Sequence, residues 1–192
     1  LWYDEELSNN DILINVKNNY FWIDEQSKAG FIANGEIIQV KRILKREEQY
    51  GFQFIKAIVK LIDYPEIDEF ETILFTEVLK SEGPNLNRDR MKELFFNIEE
   101  DYKDEKNKKK RYELILKNPY FNALQVKFGY AITCHKSQGG QWDSVFIDPG
   151  FLNEDDINES YYRWLYTAIT RAKKQVYLVN FNEKYFQALN SH

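Results

Sequence analysis

The chain has 192 residues, enough for one domain or two small intertwined ones. A hydrophobic fraction of 43% with 16% aromatic residues excludes a disordered chain, and a single cysteine, Cys134, excludes a disulfide framework and a four-cysteine zinc site. The formal charge of −5 does not suggest a nucleic-acid binder, yet the tail from Tyr161 to His192 sets Arg163, Arg171, Lys173, Lys174 and Lys184 against Glu183 alone, a local positive track of the kind that holds a phosphate backbone.

Leu1 heads the sequence and Met91 is the sole methionine, so the chain is expected to be a piece of a longer polypeptide. There is no basic-then-apolar leader and no apolar run of about 18 residues. The expected setting is a reduced cytoplasm, away from membranes.

In chain order, Asp11–Val16 alternates apolar and polar residues and predicts a strand that delivers the polar loop Lys17-Asn18-Asn19-Tyr20. Asn34-Gly35 is a turn signal, because both residues tolerate positive φ. Strands are expected over Glu36–Ile43, Phe52–Ile62 and Phe70–Leu79, rich in β-branched and aromatic residues, which suggests a small barrel or sheet. After Gly83-Pro84, the spacing of Met91, Leu94, Phe95 and Ile98 predicts a helix over Asn87–Tyr102. The run DYKDEKNKKKR that follows reads as a solvated loop whose basic end either stays exposed or touches DNA.

Strand-like segments resume at Leu124–Phe128 and Tyr130–Thr133, with a short buried strand at Ser144–Ile147. A helix is expected over Ser160–Arg171, capped by Asn158 or Ser160 and turning Tyr161, Leu165, Ala168 and Ile169 inward. A strand at Gln175–Val179 and a helix at Glu183–Leu189 close the chain. Strands alternating with helices argue for an α/β layer with the barrel-like part inserted into it.

Two segments carry chemistry. In FGYAITCHKSQGGQWDSVFI, apolar residues lead into Thr133, His135, Lys136, Ser137 and Gln138, then Gly139 and Gly140. That sets donors at the end of a strand, where α/β ligand sites gather, with glycines that let a partner's backbone approach. In WLYTAITRAKK, a helix ends at Arg171, whose planar, permanently charged guanidinium suits a transferring phosphate. Blander readings stand beside these: His135 as a surface histidine, and Arg171 as a helix-terminal cation favoured by the dipole. Cys134 is read as a buried small apolar residue, Trp142, Trp164 and Tyr166 as packing residues, and Asn19 and Tyr20 as simple turn chemistry or as a strand contact.

Taken together and in order, YAITCHKSQG and YTAITRAKK resemble motifs V and VI of superfamily 1 helicases, in the RecD-like and Dda-like branch that includes the exodeoxyribonuclease V alpha type. KNNY followed by FIANGEIIQV is similar to the same branch, where an SH3-like insertion interrupts a second RecA-like lobe. The resemblance covers residues 11–43 and 121–181 and is loose over 44–120. It implies an α/β fold: a RecA-like second motor lobe, formed by 1–34 and 120–192, without its own P-loop. Residues 35–119 would form an SH3-like β-barrel insertion with an added helix. It further implies an ATP-dependent DNA helicase moving 5′ to 3′ on single-stranded DNA, with Arg171 as the catalytic arginine finger and Gly140 and Gln141 beside the nucleotide. Thr133, His135, Lys136 and Gln138 would contact the strand, joined by Asn19 and Tyr20. Gln141 departs from the acidic residue often found there, which leaves the ribose contact without charge.

No G-x-x-x-x-G-K-[ST] occurs, and no Asp-Glu pair is placed to hold magnesium. In the family both belong to the first lobe, so ATP and Mg2+ would be bound mainly by an N-terminal lobe elsewhere in the polypeptide, and this fragment alone is expected to be inactive. No metal site is expected in the fragment. The resemblance extends to nuclease subunits as partners. The alternative is a non-catalytic nucleic-acid or protein-binding module, for which the α/β part is only scaffold.

Overall fold

A computed structural model describes residues 7–81, 83, 86–153 and 156–182. The helix expected over Glu183–Leu189 lies outside the described residues. The chain divides into two compact units, residues 1–131 and 132–192.

The first unit is a closed five-stranded barrel in the order β1 (Ile12–Asn15), β2 (Ile37–Gln49), β3 (Phe52–Leu61), β4 (Phe70–Phe75) and β5 (Leu124–Phe128). β1 pairs antiparallel with both β2 and β5, so it is a stave of the barrel. β1 and β5, which the sequence placed with the α/β lobe, are thus paired into the barrel. Alternation explains the closure. Ile55, Ala57, Val59 and Leu61 of β3 point inward and meet Leu13, Ile38, Val40, Leu74, Leu124 and Val126 in one buried cluster.

The β2–β3 hairpin turns through Tyr50 and Gly51, both at positive φ (55° and 74°), between paired Gln49 and Phe52. A two-residue turn of this hand matches the strand twist but strains any residue with a Cβ. Tyr50 is held there by tertiary bonds. Its hydroxyl bonds Asp101 Oδ2 at 2.5 Å, and Asn97 Nδ2 donates to its carbonyl at 2.9 Å.

The barrel closes through a parallel pair, Leu74↔Leu124 and Phe75↔Gln125. Parallel neighbours cannot be joined by a hairpin, so the chain must leave and return. It does so through α1 (Thr76–Lys80), α2 (Arg88–Glu99), a 3-10 turn (Glu100–Tyr102) and α3 (Lys108–Leu116). The strand expected to reach Leu79 therefore ends at Phe75. The charged run is not a loop throughout, because the Asn107 side chain accepts from the amides of Lys109 and Lys110 and starts α3. Ile115 then buries completely, while Glu105–Lys110 and Glu99–Arg111 ion pairs lie across the turn. Among the described residues, no helix is long and apolar enough to cross a membrane.

Outside the barrel wall, Phe54 packs edge-on to Phe75 at 4.9 Å and Tyr120 at 5.1 Å. Arg90 lies over Phe52 at 4.2 Å and pairs with Glu77 at 2.8 Å. Tyr120 donates to Glu47 at 2.7 Å, and Glu47 also meets Lys45 at 2.6 Å and Lys56 at 3.4 Å.

The second unit is a β-α-β element. β6 (Trp142–Ile147) and β7 (Ala172–Leu178) run parallel, joined by α4 (Glu159–Ile169). Asn158 caps α4 by accepting from the amides of Ser160 and Tyr161, as its residue type predicted. Ala168 of the expected inner stripe is buried, but Ile169 is exposed. β6 was expected to be buried; only Ile147 is, and Phe146 is 70% exposed while stacking on Tyr177 at 4.5 Å. Trp142 and Tyr166, read as packing residues, are also exposed. Tyr130–Thr133 forms no strand; the chain there leaves the barrel and enters a turn.

The Lys45 and Tyr120 contacts hold the Glu47 carboxyl at about 2 instead of 4.5. The contribution of this network to stability is therefore fully present above about pH 4.5 and is lost as pH falls towards 2. Urea denaturation should show Glu47→Gln less stable than the wild type by about 1–3 kcal/mol at neutral pH, a charge-assisted hydrogen bond being lost. That gap should narrow steadily as pH falls from about 4.5 towards about 2; a gap independent of pH would refute the assignment.

Candidate nucleotide and strand site

The residues singled out from sequence fall into two places, one in each compact unit. In the second unit, residues 133–140 form a hydrogen-bonded turn. Ser137 N donates to Thr133 O at 3.1 Å, Gly140 N to Ser137 O at 3.1 Å, and the buried Ser137 hydroxyl to Cys134 O at 2.6 Å. Lys136 N reaches Thr133 Oγ1 at 3.4 Å. Cys134 points inward, and its thiol donates to Trp164 O of α4 at 3.4 Å, in keeping with a packing role. The turn thus spends Ser137 and Cys134 on its own construction and presents Thr133, His135, Lys136 and Gln138 to solvent. Their side chains supply a hydroxyl, an imidazole, an ammonium and an amide, all able to donate to a phosphate oxygen.

Gly139 exits the turn at φ +88°, which an L side chain rarely adopts. At Gly140 the constraint is space. A Cβ there would lie 2.3 Å from Trp142 Cη2, because the indole folds back over the glycine.

Arg171 stands immediately beyond α4, where the C-cap Thr170 ends the helix. Its carbonyl accepts from Trp142 N at 2.9 Å, tying the start of β6 to the start of β7. Its guanidinium is held at three points: Nε donates to Thr167 O at 3.1 Å, Nη2 to Thr170 Oγ1 at 3.1 Å, and Nη1 to Gly140 O at 3.3 Å. The structure therefore brings Arg171 and Gly140 together, with Gln141 exposed beside them. A guanidinium has five N–H donors. Three fix its plane and two remain to meet an oxyanion. Thr167 and Thr170 were missed as positioning residues. The only available signal was their place one turn and one residue before Arg171 in YTAITR.

In the barrel unit, Asn15 is fully buried and its amide donates to Lys17 O at 2.7 Å and Ala33 O at 2.8 Å, pinning the loop after β1. Asn19 continues this work. Its Nδ2 donates to Asn122 O at 2.8 Å and its Oδ1 accepts from Phe21 N at 3.0 Å, so its side chain is committed to holding the loop. Tyr20 has a different situation: it is 69% exposed and stacks on Phe31 at 4.8 Å. Asn15, Phe31 and Asn122 were not singled out from sequence. Asn15 looks like an ordinary polar position on an alternating strand, and Asn122 comes near only through the fold.

Residues 128–179, from the end of the barrel through β7, match the family described as UvrD-like helicase C-terminal domain. Over 61 residues the chain is 44% identical to an uncharacterized protein of Methanocaldococcus jannaschii, a stretch that is 31% of this chain and 5% of that protein. The family match supports a superfamily 1 helicase C-terminal region here.

Gly140→Ala should be poorly tolerated, since Trp142 must leave the glycine and the carbonyl gripped by Arg171 must shift. Overpacking of this kind costs about 1–3 kcal/mol. The expected result is a lower urea midpoint for the variant, and a much smaller loss when the same substitution is made in a Trp142→Ala background, where no indole meets the added Cβ. Equal losses in the two backgrounds would contradict the close-approach argument.

Proposed function

We propose that this chain is the C-terminal portion of an ATP-dependent superfamily 1 DNA helicase of the RecD-like branch, contributing an arginine finger and part of the grip on single-stranded DNA. The observation that carries the reading is Arg171 held against Gly140 within the region that matches the UvrD-like helicase C-terminal domain. ATP and Mg2+ fit the donor set as ligands shared with another lobe. This side offers a fixed cation and a glycine carbonyl, and no cluster of three metal-ligating side chains occurs among the described residues. Bound ATP would supply the phosphoanhydride whose cleavage drives movement.

The part of this chain in that chemistry is electrostatic. Arg171 presents its two remaining N–H groups to charge that develops on the transferring phosphoryl group. The bonds from Thr167, Thr170 and Gly140 set the guanidinium plane in advance, so little freedom is lost at the reacting moment. Gln141, next to Gly140 in the chain, would accept from a ribose hydroxyl as a neutral group. Thr133, His135, Lys136 and Gln138 hold strand phosphates, with Tyr20 meeting the strand from the barrel and Asn19 keeping that loop in shape. Movement would run 5′ to 3′, in the cytoplasm, with nuclease subunits as further partners. A second reading, a binding module without catalysis, is favoured by the closed barrel and its exposed aromatic loop.

In the full-length polypeptide, Arg171→Ala should leave nucleotide binding nearly unchanged and reduce hydrolysis by about 10³-fold or more, the usual scale for an arginine finger. Turnover close to wild type would sink the motor assignment and leave the binding module. The 192-residue chain alone should bind an oligonucleotide weakly, with affinity falling steeply between about 50 mM and about 200 mM salt. Tight binding indifferent to salt would contradict a phosphate-led grip.

A further inference from the structure

In the barrel unit, the loop after β1 and the segment between α3 and β5 face each other across an open groove of about 290 Å³. Its lining combines the rings of Tyr20, Phe21 and Phe121, the amides of Asn18 and Asn122, and one cation, Lys17. Among the described residues no carboxylate lines it, although the chain carries 31 acidic residues. A space near the low end of the ~300–1,000 Å³ range accommodates a flat ring system and excludes a helix.

The groove is built before any ligand arrives. Asn19 Nδ2 and Trp22 Nε1 both donate to the carbonyl of Asn122, at 2.8 and 2.7 Å, fastening one wall to the other. Asn122 in turn donates from Nδ2 to Leu116 O at 2.7 Å and to Asn118 O at 2.9 Å, so the far wall is tied to the end of α3. Phe31 backs one face of Tyr20, with the rings 23° from parallel, and the exposed ring keeps its other face for solvent. Lys17 is exposed and makes no ion pair among the described residues.

We propose that this groove seats one base of a single-stranded nucleic acid, stacked on the open face of Tyr20, with an adjoining phosphate held by Lys17. Aromatic stacking accepts any base, because every base has a π-face, and a cation at the rim meets the regularly spaced anions of the backbone. The lack of a carboxylate removes the repulsion that such an anion would otherwise meet. An extended peptide would also meet the rings, but it brings no regular anion for Lys17. The seat lies in a different compact unit from the turn at Thr133–Gln138. It deepens the proposed function, on which the single strand as ligand and the role of Tyr20 rest, but it does not depend on Arg171.

The test measures binding of a fluorescein-labelled oligothymidylate of about 12 nucleotides, within the span of small strand-binding folds, to the 192-residue chain. Tyr20→Ala should raise Kd about tenfold, the effect of losing one stacked base, while Tyr20→Phe, which keeps the ring, should stay within about twofold. Lys17→Glu should weaken binding and lower its salt slope by about one phosphate contact. With 5-iododeoxyuridine in the oligonucleotide, cross-links should fall on Tyr20 or Phe21. Wild-type affinity in Tyr20→Ala, equal losses in the Ala and Phe variants, or cross-links confined to residues 133–138 would each overturn the proposal. So would an oligonucleotide that does not bind while a proline-rich peptide does. Lys92→Ala, at an exposed cation of α2 outside the groove, serves as the control and should bind the oligonucleotide as the wild type does. The motor reading is tested by ATP hydrolysis in the full-length polypeptide and the groove by oligonucleotide binding, so the two failures give different results.

Discussion

The parallel pairing of β4 with β5 is the constraint on which the first unit depends. The three consecutive steps from β1 to β4 are antiparallel and need no crossover, but the step from β4 to β5 does, because two parallel strands place the end of one far from the start of the next. The chain between Phe75 and Leu124 must therefore travel, and it uses the excursion to build the three helices and the Tyr120 contacts that cover the outer faces of Phe52, Phe54 and Phe75. The return leg lays Leu116, Phe121 and Asn122 opposite the loop after β1. A topological necessity thus furnishes one wall of the groove.

In the second unit a single residue joins chain direction to chemistry. Arg171 stands between the helix and the following strand and receives the first amide of the neighbouring strand through its carbonyl. Its side chain then turns back to Gly140, which belongs to the turn preceding that same neighbouring strand. The backbone and side-chain bonds reinforce each other. Strand pairing fixes the distance between Arg171 and the glycine, and the glycine carbonyl orients the guanidinium. Ser137 and Cys134 are spent on bonds within the turn and to α4, while Thr133, His135, Lys136 and Gln138 are left exposed.

Much of this was legible in the sequence, and the exceptions have physical reasons. The strands expected over Asp11–Val16, Glu36–Ile43 and Leu124–Phe128 are found at Ile12–Asn15, Ile37–Gln49 and Leu124–Phe128, the second running on past Ile43 through a charged stretch, and the Asn158 cap follows from side-chain chemistry. The membership of β1 and β5 in the barrel was hidden, because pairing over a separation of more than a hundred residues leaves no local trace. Helix α3 was hidden for the opposite reason: its first turn is all charge, and only Asn107 and the later Ile115 argue for it. At the site, Arg171 and Gly140 were identified as residue types in motifs, but their direct contact and the help of Thr167 and Thr170 depend on the turn geometry. The hairpin at Tyr50-Gly51 was likewise unreadable. Nothing about a tyrosine advertises positive φ until Asp101 and Asn97 are seen to hold it there.

The indole folded over Gly140 gives the second unit a natural optical probe. Trp142 is 42% exposed, touches the glycine whose carbonyl Arg171 grips, and takes its own amide bond from the arginine backbone. A rearrangement that lifts the guanidinium from that carbonyl would alter the polarity around the ring, and the emission maximum would move with it. The other described tryptophans are Trp22, fastened to the barrel groove, and Trp164, whose carbonyl receives the Cys134 thiol. The arginine's seat and the groove thus carry separate intrinsic fluorophores, and each can be watched without attaching a label once the other tryptophans are replaced by phenylalanine.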